Sequence, residues 1–321
     1  MKGDILITPR SLTKSGDPAL DLFEKAGYRL KFCRPGTMPD KAELTALIPG
    51  CVGYLAGVET ISASVLAAGT SLRAISRNGT GVDNIDLKAA ERRNIAILRA
   101  EGANARGVAE LAISLILSCA RHVPFSDRNI KRGNWRRRRG VELKNRILGV
   151  VGLGNIGRIT ARLAIALGMK IVAYDPYAPA LAEFSADSFK RTDLEELWTE
   201  AEFVTLHCPL SRGRAAIVSE KSIQRMKEGV MIVNTARWEL IEEKAVLNGL
   251  NSGKIGCLAT DVFPKEPPQL SPLLKHENVV TTPHIGGFTK ESVSKSASIA
   301  VENLLDFLSK DRNRTTDRNS L

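Results

Sequence analysis

Three residues distant along the chain are of types that together handle a carboxylate and a carbonyl. They are Arg237 in Asn234-Thr235-Ala236-Arg237, Glu266 in Asp261-Val262-Phe263-Pro264-Lys265-Glu266-Pro267, and His284 in Thr282-Pro283-His284-Ile285-Gly286-Gly287. A guanidinium can grip a 2-oxo acid in a fork and polarise its ketone, while an imidazole gives or takes the hydroxyl proton. A carboxylate beside the imidazole would fix its tautomer and favour its charged form. Each residue alone also has a plain structural reading: a surface ion-pair arginine, a loop acid beside prolines, a satisfied turn histidine. What argues for chemistry is that all three follow strand-like segments downstream of a nucleotide-binding fingerprint.

That fingerprint is Gly152-Leu153-Gly154-Asn155-Ile156-Gly157, preceded by the apolar run Arg146 to Val151 and followed by a helical stretch from Arg158 to Leu167. The glycines permit a tight turn, close approach of backbone to pyrophosphate and close helix-strand packing, and the helix start offers free amides to phosphate. A second strand-like run, Lys170 to Tyr174, ends in Asp175, at roughly the 20-residue offset expected of a ribose-binding acid. A carboxylate there accepts the free 2′-hydroxyl of NAD and repels the extra phosphate of NADP, and no arginine follows, so NAD is the expected cofactor.

The elements that must position these groups alternate between strand and helix. Strands are predicted over Ile5-Thr8, Tyr28-Phe32, Val52-Leu55, Leu72-Ser76 and Ile95-Leu98, with helices over Pro18-Ala26 and Asp86-Arg92 between them. Gly27 has the place of a helix C′ residue. From Asn104 to Cys119 a stripe of Val108, Leu111, Ala112, Leu115, Ile116 and Cys119 has helical period and joins the first half to the second. Further strands are predicted over Ile147-Val151, Ile171-Tyr174, Phe203-His207, Met231-Asn234, Cys257-Thr260 and Val279-Thr282, so every motif falls at a strand's carboxyl end, where open parallel sheets bind ligands.

In these motifs the chain resembles the D-isomer-specific 2-hydroxyacid dehydrogenases, most closely their phosphoglycerate-dehydrogenase-like branch. The resemblance runs from about Ile5 to Leu308 and includes Arg77-Asn78-Gly79-Thr80-Gly81-Val82-Asp83-Asn84, Gly102-Ala103-Asn104 and His207-Cys208-Pro209-Leu210. It implies an α/β protein of two Rossmann-like domains. Residues 1–102 and 286–321 would form a discontinuous, flavodoxin-like substrate domain closed by a helix over Glu291-Leu308, and residues 103–285 a doubly wound NAD-binding domain. The active site would lie between them, with Gly102 and Gly286-Gly287 as hinges for closure.

The resemblance also assigns positions. Arg237, Glu266 and His284 match the catalytic residues, to be brought together beside the bound cofactor. Gly152, Gly154, Asn155, Ile156, Gly157, Asp175, His207, Cys208, Pro209, Thr235, Ala236 and Asp261 match cofactor contacts, and Thr80, Gly286 and Gly287 lie near the nicotinamide. Arg77, Gly79, Thr80 and Gly81, with Arg237 and His284, match substrate contacts.

Departures from the family pattern bear on the substrate. Where phosphoglycerate-specific members place an arginine, this loop reads Tyr54-Leu55-Ala56-Gly57-Val58-Glu59, which speaks against 3-phosphoglycerate. The common Ala-Arg-Gly-Gly has become Ala236-Arg237-Trp238-Glu239, placing bulk and an acid after the arginine, where they either reshape the pocket or face outward. The stretch after His284 is short for an appended regulatory domain. The expected reaction is reversible hydride transfer between NAD(H) and C2 of a small polar or anionic 2-oxo acid. The alternatives are a phosphite-type dehydrogenase on the same fold and an NAD(H)-sensing, corepressor-like binding protein, while formate is disfavoured because formate-oxidising relatives carry glutamine at Glu266.

Composition agrees with this reading. A chain of 321 residues with 43% hydrophobic content buries two cores, and no apolar run would span a bilayer. Met1-Lys2-Gly3-Asp4 leads straight into a strand, without a signal sequence, so a cytoplasmic protein is expected. Cys33, Cys51, Cys119, Cys208 and Cys257 show no paired spacing, which favours reduced thiols, and no metal is expected. The net charge of +11 is concentrated in Arg136-Arg139 and a basic tail from Lys310 to Arg314, without the aromatic interleaving of a nucleic-acid surface. The arginine run reads as a solvated loop or as an attractor for anionic substrate. Neither nucleic acid nor membrane is an expected partner, and the resemblance implies a homodimer in which this loop reaches the neighbouring subunit.

Overall fold

In the computed structural model, residues 1–178, 183–209 and 215–317 are described. Leu210 and the side chains beyond Lys310 lie outside that set. The chain divides into two compact units, Met1–Asn104 with Thr289–Leu321, and Ala105–Phe288.

The first unit is built on five parallel strands, β1 (Asp4–Ile7), β2 (Arg29–Phe32), β3 (Cys51–Ala56), β4 (Ala74–Arg77) and β5 (Ala96–Arg99), in the order β2-β1-β3-β4-β5. This is the flavodoxin-like order expected from the resemblance. Ile5, Ile7, Leu55 and Ala74 pack against Ala297, Ala300, Val301, Leu304 and Leu308 of the helix Lys290–Asp317, so the end of the chain completes a core begun at its start. Each large aliphatic side chain buried there contributes roughly 1.5–3 kcal/mol. Ser76 Oγ donates to the Ala300 carbonyl at 2.7 Å and fixes the helix against β4.

The second unit holds seven parallel strands: β6 (Ile147–Val151), β7 (Lys170–Tyr174), β8 (Phe189–Arg191), β9 (Phe203–Leu206), β10 (Val230–Asn234), β11 (Ile255–Thr260) and β12 (Val279–Thr281). Their order is β12-β11-β10-β9-β6-β7-β8, a doubly wound sheet whose direction of winding reverses between β6 and β9. The helix Ala105–Arg121 buries Ala112, Leu115, Ile116 and Cys119 against Leu148, Val150, Ala161 and Ala164, as its apolar stripe requires.

Several elements differ from the sequence expectation. β8 was not foreseen, because Phe189-Lys190-Arg191 is a short edge strand with two exposed charged residues and no apolar alternation. The helix Pro18–Ala26 is a 3₁₀ turn, Pro18–Leu20, capped by Asp17, followed by Asp21–Lys25, and Gly27 does adopt a positive φ of 87°. Cys119 and Cys257, unrelated in spacing, bring their sulfurs within 2.6 Å across the interface between the helix Ala105–Arg121 and β11, and all five cysteines are free thiols. Among the described residues no single helix is long and apolar enough to cross a membrane.

Candidate active site

The winding reversal between β6 and β9 places Gly152-Leu153-Gly154 beside His207-Cys208. A Cβ on Gly152 would lie 2.7 Å from the Cys208 nitrogen, and its φ of 98° suits glycine alone. A Cβ on Gly157 would lie 1.9 Å from the Gly152 carbonyl oxygen, so the third glycine lets the helix Asn155–Ala166 begin directly on the loop. A Cβ on Gly154 would meet nothing within 4 Å. Gly154 caps the helix without a side-chain acceptor, and with Asn155 it is exposed; Ile156 is half-buried. The helix start thus offers unclaimed amides over open space, which suits a pyrophosphate.

Asp175, just beyond β7, accepts from the Leu153 amide at 2.7 Å through one oxygen and from the Tyr177 and Ala178 amides at 2.8 and 3.1 Å through the other. It therefore braces the glycine loop as well as standing where a ribose acceptor would stand. At the ends of the adjacent strands β9 and β10, whose register pairs Asn234 with Leu206, two buried polar atoms have no hydrogen-bond partner among the described residues: His207 Nδ1 and Thr235 Oγ1. Such atoms are costly to bury alone and mark a place for a polar ligand. His207 Nε2 lies 2.9 Å from Thr205 Oγ1, and burial holds the imidazole down to a pKa of about 3, so the ring is neutral. Burial also pushes the Cys208 thiol up to about 11, which leaves it no part as a thiolate. Pro209 is exposed, and Ala236, half-buried, donates its amide to Asn234 Oδ1 at 3.1 Å. The residues present fit NAD.

At the far side of the same sheet edge, Glu266 and His284 meet. Both carboxylate oxygens of Glu266 lie 2.8 Å from His284 Nδ1, leaving Nε2 as the nitrogen presented outward from a half-exposed pair. His284 has a φ of 53°, a left-handed conformation unusual for a residue with a Cβ. Asp261, fully buried at the end of β11, holds that turn: one oxygen accepts from Thr282 Oγ1 at 2.6 Å and the Ile285 amide at 2.8 Å, the other from the Gly286 amide at 2.8 Å. Asp261, expected as a cofactor contact, also braces the turn that carries His284, which its motif alone did not reveal. Gly286 packs close on Asp261, and Gly287 follows in the turn. Arg237 follows β10, next to β11, with its Nη1 donating to the Ala236 carbonyl at 2.7 Å and its own carbonyl accepting from Asn234 Nδ2 at 2.8 Å. Of the residues after Arg237, Trp238 turns into the core and Glu239 outward.

In the first unit, the loop after β4 is held by its own backbone. The Gly79 amide donates to the Arg77 carbonyl at 2.8 Å with Gly79 at φ 144°, the Ala100 amide donates to the Gly79 carbonyl at 3.0 Å, and Thr80 Oγ1 donates to the Ala100 carbonyl at 3.4 Å. Arg77 Nη1 donates to the Asn78 carbonyl at 2.6 Å, and Gly81 is half-buried. The neighbouring loop contains a carboxylate the sequence did not mark as internal. Glu59 is 1% exposed, and its Oε1 accepts from Tyr54 Oη at 2.7 Å, the Gly57 amide at 2.9 Å and the Thr8 hydroxyl. Burial and this carboxylate raise the Tyr54 phenol well above its ordinary range. Asn84 Nδ2 donates to the Glu59 carbonyl at 2.6 Å and ties the two loops together.

Arg136-Arg139 is only in part the solvated loop expected. Arg138 lies 3.8 Å over the Phe125 ring and pairs with Glu277 at 2.6 Å, and Arg136 lies 5.7 Å from the same ring's centroid, while Trp135 beside them is 81% exposed.

A family model described as "D-isomer specific 2-hydroxyacid dehydrogenase, NAD binding domain" matches residues 113–286. The chain is 40% identical to a hydroxypyruvate reductase of Thermotoga maritima, over 83% of this chain and 87% of that protein. It is 41% identical to a D-3-phosphoglycerate dehydrogenase of Methanocaldococcus jannaschii, over 76% of this chain and 47% of that one, so it spans about half the length of that relative. The structure of a glyoxylate reductase from Paecilomyes thermophila superposes with a TM-score of 0.84 at 27% identity, covering 97% of each chain.

Proposed function

The chain belongs to the D-isomer-specific 2-hydroxyacid dehydrogenases, NAD-dependent oxidoreductases acting on CH–OH donors, and we propose that it interconverts a small unphosphorylated 2-oxo acid, of the size of hydroxypyruvate or glyoxylate, with its 2-hydroxy acid. The observation that carries this reading is the Glu266–His284 pair, with both carboxylate oxygens on Nδ1 and the turn locked by Asp261.

NAD(H), when bound, supplies or accepts the hydride at C2. Gly152, Gly154, Asn155, Ile156, Gly157 and Asp175 would hold its phosphates and ribose, with His207, Cys208, Pro209, Thr235, Ala236, Asp261, Gly286 and Gly287 around the remainder and Thr80 as a further proposed contact. Glu266 fixes the histidine tautomer by engaging Nδ1, so the proton delivered to the substrate oxygen, or removed from it, passes through Nε2. Arg237 pairs with the substrate carboxylate and stabilises negative charge growing on the carbonyl oxygen, and Arg77, Gly79, Thr80 and Gly81 are proposed as further substrate contacts. The first unit is thus the substrate domain and the second the NAD-binding domain.

Glu59 supports an unphosphorylated substrate. The loop where a distal phosphate would need a guanidinium holds a buried carboxylate instead, tied by Asn84 to the Arg77–Gly81 loop. Exposed Val123, Ile130 and Trp135 on and after the helix Val123–Lys131 support a homodimer through that surface, and the location proposed is the cytoplasm.

The test is NADH consumption by the purified protein with glyoxylate, pyruvate, hydroxypyruvate, oxaloacetate, phosphonopyruvate and phosphohydroxypyruvate. Highest kcat/KM on hydroxypyruvate or glyoxylate, with phosphohydroxypyruvate at least about tenfold poorer, is the expected result; one repelled charge of about 1.4 kcal/mol suffices for that ratio. Preference for the phosphorylated acid would defeat the substrate assignment, and NADH binding without turnover of any acid would favour a sensor.

A further inference from the structure

We propose that Trp238 is a positioning residue for the acid–base pair, acting through Phe263 on Glu266. The inference rests on the assignment of Glu266 and His284 made above.

Trp238 opens a one-turn 3₁₀ helix, Trp238–Leu240, immediately after Arg237. Its indole is 6% exposed and belongs to the same core cluster as Leu240, Ile241 and Val262. The indole also stacks on the ring of Phe263, with centroids 6.3 Å apart and planes inclined by 23°. Phe263 in turn donates its backbone amide to Glu266 Oε1 at 3.3 Å, and that oxygen lies 2.8 Å from His284 Nδ1. A continuous path therefore runs from the residue after Arg237 to the imidazole, and every step of it lies within one unit.

The path matters because Glu266 is otherwise weakly held. It stands in the irregular stretch between β11 and the short helix Pro272–Lys275, with its side chain 41% exposed. A half-exposed loop carboxylate samples several rotamers unless its neighbours fix it, and each one lost from the productive geometry lowers turnover without weakening ligand binding. The amide of Phe263 is the second hydrogen bond on the oxygen that engages His284, and its placement follows the ring that Trp238 clamps. One indole thus couples the segment bearing the guanidinium to the segment bearing the carboxylate, while Glu239, facing outward, has no share in it.

A double-mutant comparison separates positioning from general core packing. With the best 2-oxo acid of the panel, Trp238→Leu is expected to lower kcat about tenfold while the NADH Kd, measured by fluorescence, stays within about twofold; Trp238→Phe, which keeps an aromatic face, should recover to within about threefold of the parent. In a Glu266→Gln background, Trp238→Leu should cost less than about threefold, because residues acting as a unit are non-additive. Equal losses in both backgrounds, an unchanged kcat in Trp238→Leu, or a loss of NADH affinity that accounts for the fall would overturn the proposal. Should Trp238→Leu not fold, Phe263→Leu breaks the same stack from the half-buried side and must meet the same criteria. If Glu266→Gln alone leaves kcat unaltered, the acid–base assignment itself fails; additive losses with an impaired Glu266→Gln variant remove Trp238 only.

Discussion

The two ends of the second unit's sheet edge are built on opposite terms. Around β6, β9 and β10, the glycine loop leaves helix amides uncapped, open space beside Gly154, and Thr235 Oγ1 and His207 Nδ1 buried without a hydrogen-bond partner among the described residues. Around β11 and β12, every oxygen of Asp261 and Glu266 is engaged, and the engaged partners are the atoms that aim His284. A surface that must accept a ligand keeps polar groups in want of one, and a group that must be aimed at a reacting atom is satisfied by its own surroundings beforehand. Changes at the first end should therefore act on affinity, and changes at the second on turnover.

The largest expected effect is at the second end. His284→Ala should lower kcat by roughly two to four powers of ten, the usual span for a lost proton donor, with NADH titrating as in the parent protein. Turnover near the parent level would remove the histidine from the chemistry and erase the contrast. At the first end, Gly157→Ala forces a methyl onto the Gly152 carbonyl, and overpacking of about 1–3 kcal/mol should appear as a ~10- to 100-fold weaker NADH Kd with a lowered Tm. Gly154→Ala, whose methyl meets no protein atom, sharpens the comparison: Tm should hold within about a degree while NADH binding weakens, since the space it fills is the ligand's.

A smaller change is expected from Asp261→Asn. The amide can replace only one of the two accepting oxygens that hold the His284 turn, so a cost of about 1–2 kcal/mol should lower kcat about tenfold, with the NADH Kd little altered. Stopped-flow turnover beside fluorescence titration checks it; a loss confined to NADH affinity would show that Asp261 serves the cofactor and not the aim of His284. The last concerns pH and stability, at His207. Its pKa is lowered to about 3 from 6.5, so the unfolded chain takes up a proton that the folded chain refuses. Its contribution is steady above pH 6.5, and stability should decline as pH falls from 6.5 toward 3. Urea melts should show that slope reduced in His207→Asn, and an imidazole signal of His207 titrating near pH 6.5 would contradict the burial.

Much of this was legible beforehand where a local pattern carries the physics. Ile147–Val151 is an unbroken apolar run and proved to be a strand over those same residues. The stripe from Val108 to Cys119 has a helical period and lies on a helix extending to Arg121. The glycine spacing and the offset of Asp175 describe a turn whose stereochemistry leaves few alternatives. Less legible were residues whose role depends on which neighbour arrives from elsewhere. Glu59 looked like a loop acid and is buried under Tyr54 and Thr8; Arg138 looked solvated and lies on Phe125; Cys119 found Cys257. Trp238 had two open readings, reshaping the pocket or facing outward, and it lies instead in the core cluster, stacked on Phe263.

By itself, the amino-acid order determined the two alternating α/β patterns, the glycine turn, the acid that follows it and the chemical types available for proton transfer, because these depend on steric limits and periodicities spanning a few residues. Only the tertiary structure decided that Asp261 aims His284 instead of merely standing near it, that Glu266 shares both oxygens with one imidazole nitrogen, and that Trp238 leans on Phe263. Those outcomes depend on the direction and burial of side chains brought together from separate strands, and no local pattern encodes where a distant neighbour will lie.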